Sequence, residues 1–334
     1  MITRPTVTVF MTAYNAGRYI EESIQSVLNQ TYTDFELIIV DDGSTDDTFN
    51  IIARFNDPRI RVIRNENNKG LVFSRNIALS EAKGKFLAIL DSDDIALPDR
   101  LQVQVKEFLS RPDLALLGTQ AYHLGKDSKR NGRLLEVPIG PDLVMCKLLF
   151  FNTFIHSSVM MKTEVFRDVG GYGMFPFAED YDLMIRISRK NVIDNLGTPL
   201  VEYRTHDTNV SQIHAEKQAV HRCSITILQL EALNISGKPE YIEMLIEHPS
   251  KTGISISDYH AFFNLLIQNN RNLQLYPKEV FEKILFDLWY EAVLYKTKRD
   301  ALYQLFNAPY FNRKHLETKQ LRRAFKRSIK SIFN

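Results

Sequence analysis

The sequence predicts an α/β fold with a mostly parallel sheet flanked by helices, followed by a helical extension. In the first third of the chain, short strand-like runs alternate with stretches of helical pattern, which is typical of parallel strands joined by right-handed helical crossovers. Residues 86–90 are apolar throughout, as expected for a strand buried on both faces. After about Val210 the sequence carries long helix-compatible runs, which predict an all-helical region.

The predicted elements follow one another in order. In the alternating part, strands are expected at residues 6–11, 35–40, 59–64 and 85–90, and helices at 17–30, 46–55, 71–82 and 98–109. From residue 114 the pattern is mixed, with strands at 114–124, 156–161 and 192–204, a polar turn at 126–132 and a helix at 179–190. The helical region is expected to contain helices at 214–233, 257–268, 278–295 and 298–306.

Length and composition limit the class of protein. A chain of 334 residues exceeds a typical single domain, and we expect one domain at residues 1–212 and a helical region at 213–334. With 44% hydrophobic and 25% charged residues, the composition is that of a globular protein and argues against extensive disorder.

Cysteine content and apolar run length predict the compartment. Two distant cysteines, Cys146 and Cys223, form no disulfide framework and favour a reducing cytoplasm. The start of the chain lacks a secretory pattern, and the apolar runs are shorter than the ~20 residues that cross a bilayer. We therefore expect a cytoplasmic protein, soluble or peripheral on the inner face of the cell membrane.

Acidic residues follow two of the predicted strands. Residues 91–94 read Asp-Ser-Asp-Asp after the buried strand, and Asp41 and Asp42 follow the second strand. Carboxyl ends of parallel strands form the ligand crevice of such sheets, so these groups should converge there. Crowded carboxylates with hard oxygen ligands suit Mg²⁺ or Mn²⁺ shared with a phosphate. A turn and helix cap at 42–46, or a solvated acidic turn at 91–94, is the simpler alternative.

The chain resembles the family 2 glycosyltransferases, which have the GT-A fold and bind nucleotide-diphospho-sugars. The resemblance covers residues 5–211, and the rest of the chain matches no family. It rests on ordered motifs that are weak alone but specific in their order and spacing, at residues 9–15, 41–46, 68–70, 74–76, 90–94, 170–172 and 178–183.

The resemblance implies a set of donor-binding residues. The loop after the first strand would hold the base and ribose, Asp42 would bind the base (uracil), and Lys69 and Arg75 would lie near the phosphates. The nucleotide-sugar residues implied are Thr12, Ala13, Tyr14, Asn15, Asp42, Lys69, Arg75, Asp91, Ser92, Asp93, Asp94 and Glu179.

The resemblance also implies the metal ligands and the base. Asp93 would bind Mn²⁺ or Mg²⁺, with Asp91 and His206 as further ligands, and the division of roles within residues 91–94 stays open. Asp180 matches the general base of an inverting displacement. An acidic first helical turn is the structural alternative for residues 178–180, and a solvated loop histidine is the alternative for His206.

The expected function is metal-dependent, inverting transfer of a hexosyl or N-acetylhexosaminyl group from a UDP-sugar. The acceptor would be a hydroxyl of a surface glycan of polysaccharide, O-antigen or capsule type, free or lipid-linked. One alternative is an Asp-x-Asp phosphatase or phosphotransferase, although such enzymes carry the motif on their first strand. Another is a non-catalytic glycan-binding protein with the GT-A fold, against which the complete carboxylate set argues.

The carboxyl-terminal stretch is basic and amphipathic. Leu321, Phe325, Ile329 and Phe333 share one predicted helix face, and residues 319–334 carry six Lys or Arg residues and no acidic residue. This pattern predicts peripheral contact with an anionic membrane surface. A helix packed on its own domain, or a solvated tail, is the alternative; no nucleic-acid module accompanies the charge, so nucleic acid is not an expected partner.

Overall fold

The computed structural model describes residues 4–173, 175–297, 300–306, 308 and 312–330. Within these residues the strands are β1 (Val7–Ala13), β2 (Phe35–Asp41), β3 (Ile60–Arg64), β4 (Phe86–Ile89), β5 (Ile95–Ala96), β6 (Leu114–Gly125), β7 (Arg130–Leu135), β8 (Met160–Lys162) and β9 (Val192–Thr205).

The helices lie between and after the strands. They are α1 (Ile20–Leu28), α2 (Thr48–Ala53), α3 (Leu71–Glu81), α4 (Arg100–Ser110), α5 (Pro141–Lys147), α6 (Thr163–Asp168), α7 (Glu179–Ser188), α8 (Val210–Ile213), α9 (Ala215–Ala232), α10 (Pro239–Ile246), α11 (Ile256–Leu273), α12 (Lys278–Lys296), α13 (Ala301–Phe306) and α14 (Thr318–Lys330). Short 3₁₀ helices occupy His156–Ser158, Pro249–Lys251 and Arg313–His315.

One mixed sheet contains the nine strands of the described chain, in the order β3-β2-β1-β4-β8-β6-β9-β5, with β7 added beside β6. The first four of these pair in parallel, β8 runs antiparallel to β4 and β6, and β6 and β9 are again parallel. Strands β1, β2 and β4 are buried along their whole length, as their apolar sequences require. The predicted α/β class with a mostly parallel sheet is confirmed.

The parallel pairing of β1 and β2 brings the two loops that follow them to one edge of the sheet. In the register, Ala13 lies opposite Asp41, so the loops that follow β1 and β2 leave the sheet side by side. These two loops are cross-linked, because the Asn15 amide N–H donates to Ser44 Oγ at 3.0 Å and the Thr45 N–H donates to Asn15 Oδ1 at 2.9 Å. Asn15 adopts φ 51°, a left-handed conformation that asparagine tolerates better than most residues.

The strand predicted at residues 156–161 is wrong in its first half. Residues His156–Ser158 form a 3₁₀ turn, and only Met160–Lys162 joins the sheet. The reason lies in the serine, because Ser158 Oγ donates to the Ile155 carbonyl oxygen at 2.7 Å and accepts from the Thr119 N–H at 3.0 Å. Such local side-chain bonds stabilise turns in competition with strand pairing.

The chain divides into two compact units. The first comprises Met1–Val144 and Asn152–His221, and the second comprises Met145–Phe151 and Arg222–Asn334. The division therefore falls inside α9 rather than at the expected boundary between residues 212 and 213. It also assigns the segment Met145–Phe151 to the second unit, which no sequence pattern indicated.

The second unit is helical in its described part, as expected. Its core is aromatic: Phe262, Phe281, Phe286 and Trp289 are fully buried. The helix expected at 298–306 begins at Ala301, and residues 298 and 299 lie outside the described residues. No helix in the described part of the chain has both the length and the apolar composition that a bilayer span needs.

Candidate active site

A cavity of about 1180 Å³ opens in the first unit where β1, β2 and β4 end. This volume is slightly above the ~300–1,000 Å³ typical of small-molecule sites. Of the residues that the sequence assigned to the site, all except Asp94 line this cavity. The cavity thus brings together the loop after β1, the turn after β4, the start of α7 and the segment after β9.

Asp42 is buried and holds a neighbouring turn. Its Oδ1 accepts from Asn65 Nδ2 at 2.7 Å and from the Lys69 N–H at 2.9 Å, and its Oδ2 accepts from the Gly70 N–H at 2.9 Å. A carboxylate has about four acceptor positions, so these three bonds leave one for a ligand. The geometry gives Asp42 a structural task in addition to the base contact that the resemblance implies.

Arg75 joins two carboxylates from distant parts of the chain. Its Nη1 pairs with Glu179 at the start of α7, and its Nη2 lies 3.1 Å from Asp91 Oδ1 at the end of β4. Arg75 and Glu179 are both buried. Both terminal nitrogens of the guanidinium therefore form ion pairs with protein carboxylates. The resemblance, by contrast, implied a position near the donor phosphates.

Asp91 has further protein partners. Its Oδ2 accepts from Ser157 Oγ at 3.0 Å and lies 3.5 Å from His156 Nδ1, while His156 Nε2 lies 2.9 Å from the Tyr172 hydroxyl. Burial raises the pKa of the Asp91 carboxyl, but His156 and Arg75 outweigh it and hold that pKa well below its usual range. Asp91 is therefore an ionised group held from several sides.

Asp93 and His206 meet although 113 positions separate them in the sequence. His206 Nε2 lies 2.8 Å from Asp93 Oδ2, and Asn209 Nδ2 donates to the same oxygen at 3.3 Å. On its other side, His206 Nδ1 lies 2.8 Å from the Thr208 hydroxyl, which can donate or accept. The contact with Asp93 Oδ2, which only accepts, requires a proton on Nε2. Because the Thr208 hydroxyl can also accept from Nδ1–H, it would support the other tautomer if a metal took the Nε2 lone pair.

The donor set around Asp93 fits a divalent cation that a substrate completes. No group of three or more metal-binding Asp, Glu, His or Cys side chains was found among the described residues. Mg²⁺ in phosphate sites, however, is usually held by one or two protein carboxylates, with waters and substrate phosphates filling the other positions. Asp93 with His206 provides such a partial set, and a diphosphate would supply the rest.

Asp94 departs from the expected placement. It is 1% exposed, and its Oδ1 accepts from the Arg204 backbone N–H at 2.7 Å. Burial, with the nearby charges of Asp93 and Asp91, raises the pKa of the Asp94 carboxyl well above its usual value. Asp94 therefore fixes the end of β9 rather than lining the cavity.

Arg204 secures the turn that carries Asp93. Its fully buried guanidinium donates to the Asp93 carbonyl oxygen at 2.6 Å, to Ser128 Oγ at 2.7 Å and to Glu22 Oε2 at 2.6 Å. Arg204 is not among the site residues predicted from the sequence. Nothing in the local pattern pointed to Glu22 and Ser128 as its partners.

The two acids at the start of α7 have different surroundings. Glu179 is 2% exposed and paired with Arg75, and burial raises the pKa of its carboxyl more than Arg75 lowers it. Asp180 is half-buried and lines the cavity; its Oδ2 accepts from Asn152 Nδ2 at 2.9 Å and its Oδ1 from the Tyr181 N–H at 2.8 Å. Asn152 was not among the expected site residues.

Comparisons with known proteins identify the relatives of this chain. The sequence profile described as Glycosyl transferase family 2 matches residues 8–170. An uncharacterized glycosyltransferase of Haemophilus influenzae is 28% identical to this chain, over 96% of this chain and 95% of the relative. The UDP-Glc:alpha-D-GlcNAc-diphosphoundecaprenol beta-1,3-glucosyltransferase WfgD of Escherichia coli is 33% identical, over 61% of this chain and 79% of the relative.

A solved structure shows the same fold. The crystal structure of S. aureus TarS 1–349 in complex with UDP-GlcNAc superposes with a TM-score of 0.56 at 19% identity, covering 91% of this chain and 89% of that one. At this identity the similarity concerns the fold. The family profile and the match to the E. coli relative, of which this chain covers 79%, establish that the chain belongs to glycosyl transferase family 2.

Proposed function

We propose that the protein is an inverting, metal-dependent glycosyltransferase that moves a hexosyl or N-acetylhexosaminyl group from a UDP-sugar to a hydroxyl of a surface glycan. The observation that carries the proposal is the arrangement of the cavity, which is lined both by the Asp93–His206 pair and by the half-buried Asp180. The E. coli relative supports a UDP-sugar donor and a lipid-diphosphate-linked glycan acceptor, because its name specifies both.

In the proposed reaction, the two ends of the site have separate tasks. Asp93 and His206 would hold the cation, which stabilises the negative charge of the departing diphosphate. Asp180 would take the proton of the acceptor hydroxyl as its oxygen bonds to the anomeric carbon. The bond between that carbon and the diphosphate oxygen breaks on the opposite face, its electrons leave with the UDP, and the configuration inverts.

Glu179 is less suited to the role of base. Its carboxylate is paired with Arg75, and taking up a proton would weaken that buried ion pair. Asp180 accepts only from neutral N–H donors and stays within reach of the cavity. The two neighbouring acids would thus have different roles: Glu179 would hold the start of α7 through its ion pair, and Asp180 would act on the acceptor.

Replacing Asp93 or His206 by alanine is expected to weaken metal-dependent binding of UDP at least tenfold. Each variant removes one of the two protein ligands proposed for the cation, which links the diphosphate to the protein. Thermal shift and calorimetry with UDP, in Mn²⁺ and separately in EDTA, measure this. His214→Ala is the matched control, because His214 lines the same cavity but its ring stacks on Phe177 at 3.9 Å.

The same assay tests the proposed function as a whole. Wild-type protein should release UDP from at least one UDP-sugar when Mn²⁺ is present, with octyl glycosides or water as acceptor. Equal stabilisation by UDP in Mn²⁺ and in EDTA would contradict the metal requirement. Hydrolysis of p-nitrophenyl phosphate by a protein that binds no nucleotide sugar would instead favour the phosphotransferase alternative.

We also propose that α14 contacts an anionic membrane surface, where a lipid-linked acceptor would lie. Ala324 and Ser328 form the buried side of this helix, whereas Leu321 and Phe325 are 38% and 53% exposed. Exposed Lys319, Arg322 and Lys326 accompany the two apolar side chains. The small residues of α14 therefore pack within the second unit, whereas its large apolar and basic side chains are exposed. Of the expected apolar face, Phe333 and the side chain of Ile329 lie outside the described residues.

The double substitution Leu321→Ser/Phe325→Ser is expected to reduce binding to phosphatidylglycerol vesicles at low salt at least tenfold. Apolar burial and cation attraction together hold such helices at a bilayer, and the variant removes the apolar part. Co-sedimentation measures the bound fraction, with phosphatidylcholine vesicles as the uncharged reference. Leu109→Ser is the control, since Leu109 is 65% exposed on α4 in the other unit. Wild-type protein that ignores anionic vesicles would refute the membrane contact.

A further inference from the structure

We propose that Asn152 is a positioning residue for Asp180, an inference that rests on the proposed function. Asn152 does not line the cavity, yet its Nδ2 donates to Asp180 Oδ2 at 2.9 Å. The second oxygen of the same carboxylate accepts from the Tyr181 N–H at 2.8 Å. Both carboxylate oxygens are thus held by single donors, which fixes the plane of the group at the cavity wall.

The orientation of the Asn152 amide follows from its second hydrogen bond. Asn152 Oδ1 accepts from the Phe154 N–H at 3.1 Å, which only the oxygen of the amide can do. The NH₂ group must therefore be the one that faces Asp180. The side chain is a directed donor, since exchanging its oxygen and nitrogen would lose both bonds.

The segment that carries Asn152 is anchored by buried groups. Asn195 on β9 donates through Nδ2 to the Thr153 carbonyl oxygen at 3.0 Å and to the Pro138 carbonyl oxygen at 2.9 Å. Gly118 on β6 makes room for this arrangement, because a Cβ there would overlap Asn195 Oδ1 and lie 2.7 Å from the Phe154 ring. The segment that carries the donor to Asp180 is consequently held by hydrogen bonds to the sheet, and is not a free loop.

A neutral donor suits a general base better than a charged one. An arginine partner, such as Glu179 has, favours the ionised carboxylate strongly and lowers its tendency to accept a proton. An amide orients the carboxylate while adding no countercharge. Asn152 thus gives Asp180 a fixed direction without adding a charge; the charged groups that act on Asp180 are Arg75 and Glu179.

Asn152→Asp tests this role with almost no change of shape. The new carboxylate keeps an oxygen for the Phe154 N–H but presents an oxygen instead of NH₂ to Asp180. We expect UDP release from a UDP-sugar with Mn²⁺ to fall at least tenfold at neutral pH. The acid limb of the rate profile should move up by about one pH unit or more, because a like charge favours protonation. Binding of UDP with Mn²⁺ should stay at the wild-type value. The thermal unfolding temperature at neutral pH should fall by only a few degrees, about what a one-unit rise in the folded-state pKa of a carboxyl costs.

Each outcome separates the inference from the proposed function. If Asp180→Asn abolishes UDP release while Asn152→Asp keeps the wild-type rate and pH profile, Asp180 remains the base and the role of Asn152 is overturned. If Asp180→Asn is as active as the wild type, the proposed base fails and this inference with it. If Asn152→Asp and Asn152→Ala both lose UDP binding or fail to fold, Asn152 is a structural residue and the inference is again overturned.

Discussion

Replacing Asp180 by asparagine is expected to slow sugar transfer by about 10²- to 10⁴-fold, the usual contribution of a positioned general base. Asparagine has nearly the same shape but cannot take the acceptor proton. Asp180 is not among the partners of Asp93 and His206, so binding of UDP with Mn²⁺ should be unchanged. Initial rates of UDP release and calorimetric titration with UDP measure the two effects separately.

A double variant controls for the local hydrogen bond. Asparagine at position 180 would turn an NH₂ group either toward the NH₂ of Asn152 or toward the Tyr181 N–H. Asn152→Asp/Asp180→Asn restores a donor and an acceptor to the pair with their positions exchanged. We expect this protein to be as stable as the wild type and still inactive, because the carboxylate has moved away from the cavity wall. A rate within tenfold of the wild type in either protein would place the base elsewhere.

The sequence could predict the part of the site that lies at the strand ends, because this part depends on local sequence signals. Apolar runs that end in small or acidic residues identify strand ends, and parallel order places those ends at one edge. The loop at residues 12–15, Asp42 and the Asp93 turn were found in this way, and all line the cavity. The three aspartates within residues 91–94 could not be told apart from the sequence. The turn in which the Asp94 N–H donates to the Asp91 carbonyl oxygen, 3.2 Å away, decides which of them faces the cavity.

The rest of the site depends on contacts between residues that are distant in the sequence. Arg204 with Glu22, and Asn152 with Asp180, are side-chain hydrogen bonds without any periodic pattern in the chain. The same holds for Arg75, because a cation in a motif can bind a phosphate or a buried carboxylate. Only the tertiary fold, which brings Arg75 next to Asp91 and Glu179, decides between the two. Amide side chains such as that of Asn152 are the hardest to identify from the sequence, because they contribute neither charge nor hydrophobicity to a sequence pattern.

Replacing Arg75 by methionine is expected to destabilise the protein by about 3–5 kcal/mol, the usual result of removing one partner of a buried ion pair. Methionine fills a similar volume but leaves Glu179, which is 2% exposed, without its countercharge and next to the ionised Asp91 turn. Chemical denaturation followed by circular dichroism measures the free energy of unfolding. Arg54→Met is the control, because Arg54 pairs with Asp47 and both side chains are exposed, at 65% and 57%; it should cost about 0–1 kcal/mol.

The pH dependence and a double variant identify the cause of this loss. Without the guanidinium, the buried Glu179 carboxyl should have a pKa above its unfolded value, so the folded state binds its proton more tightly than the unfolded state does. The deficit of Arg75→Met should therefore be smallest in acid and grow as the pH rises through neutrality. Arg75→Met/Glu179→Met removes both members of the pair and should recover most of the lost stability, since no buried charge is then unpaired. Equal, pH-independent losses in the Arg75→Met and Arg54→Met proteins would contradict a role for burial, because both variants would then have lost only an ordinary surface ion pair.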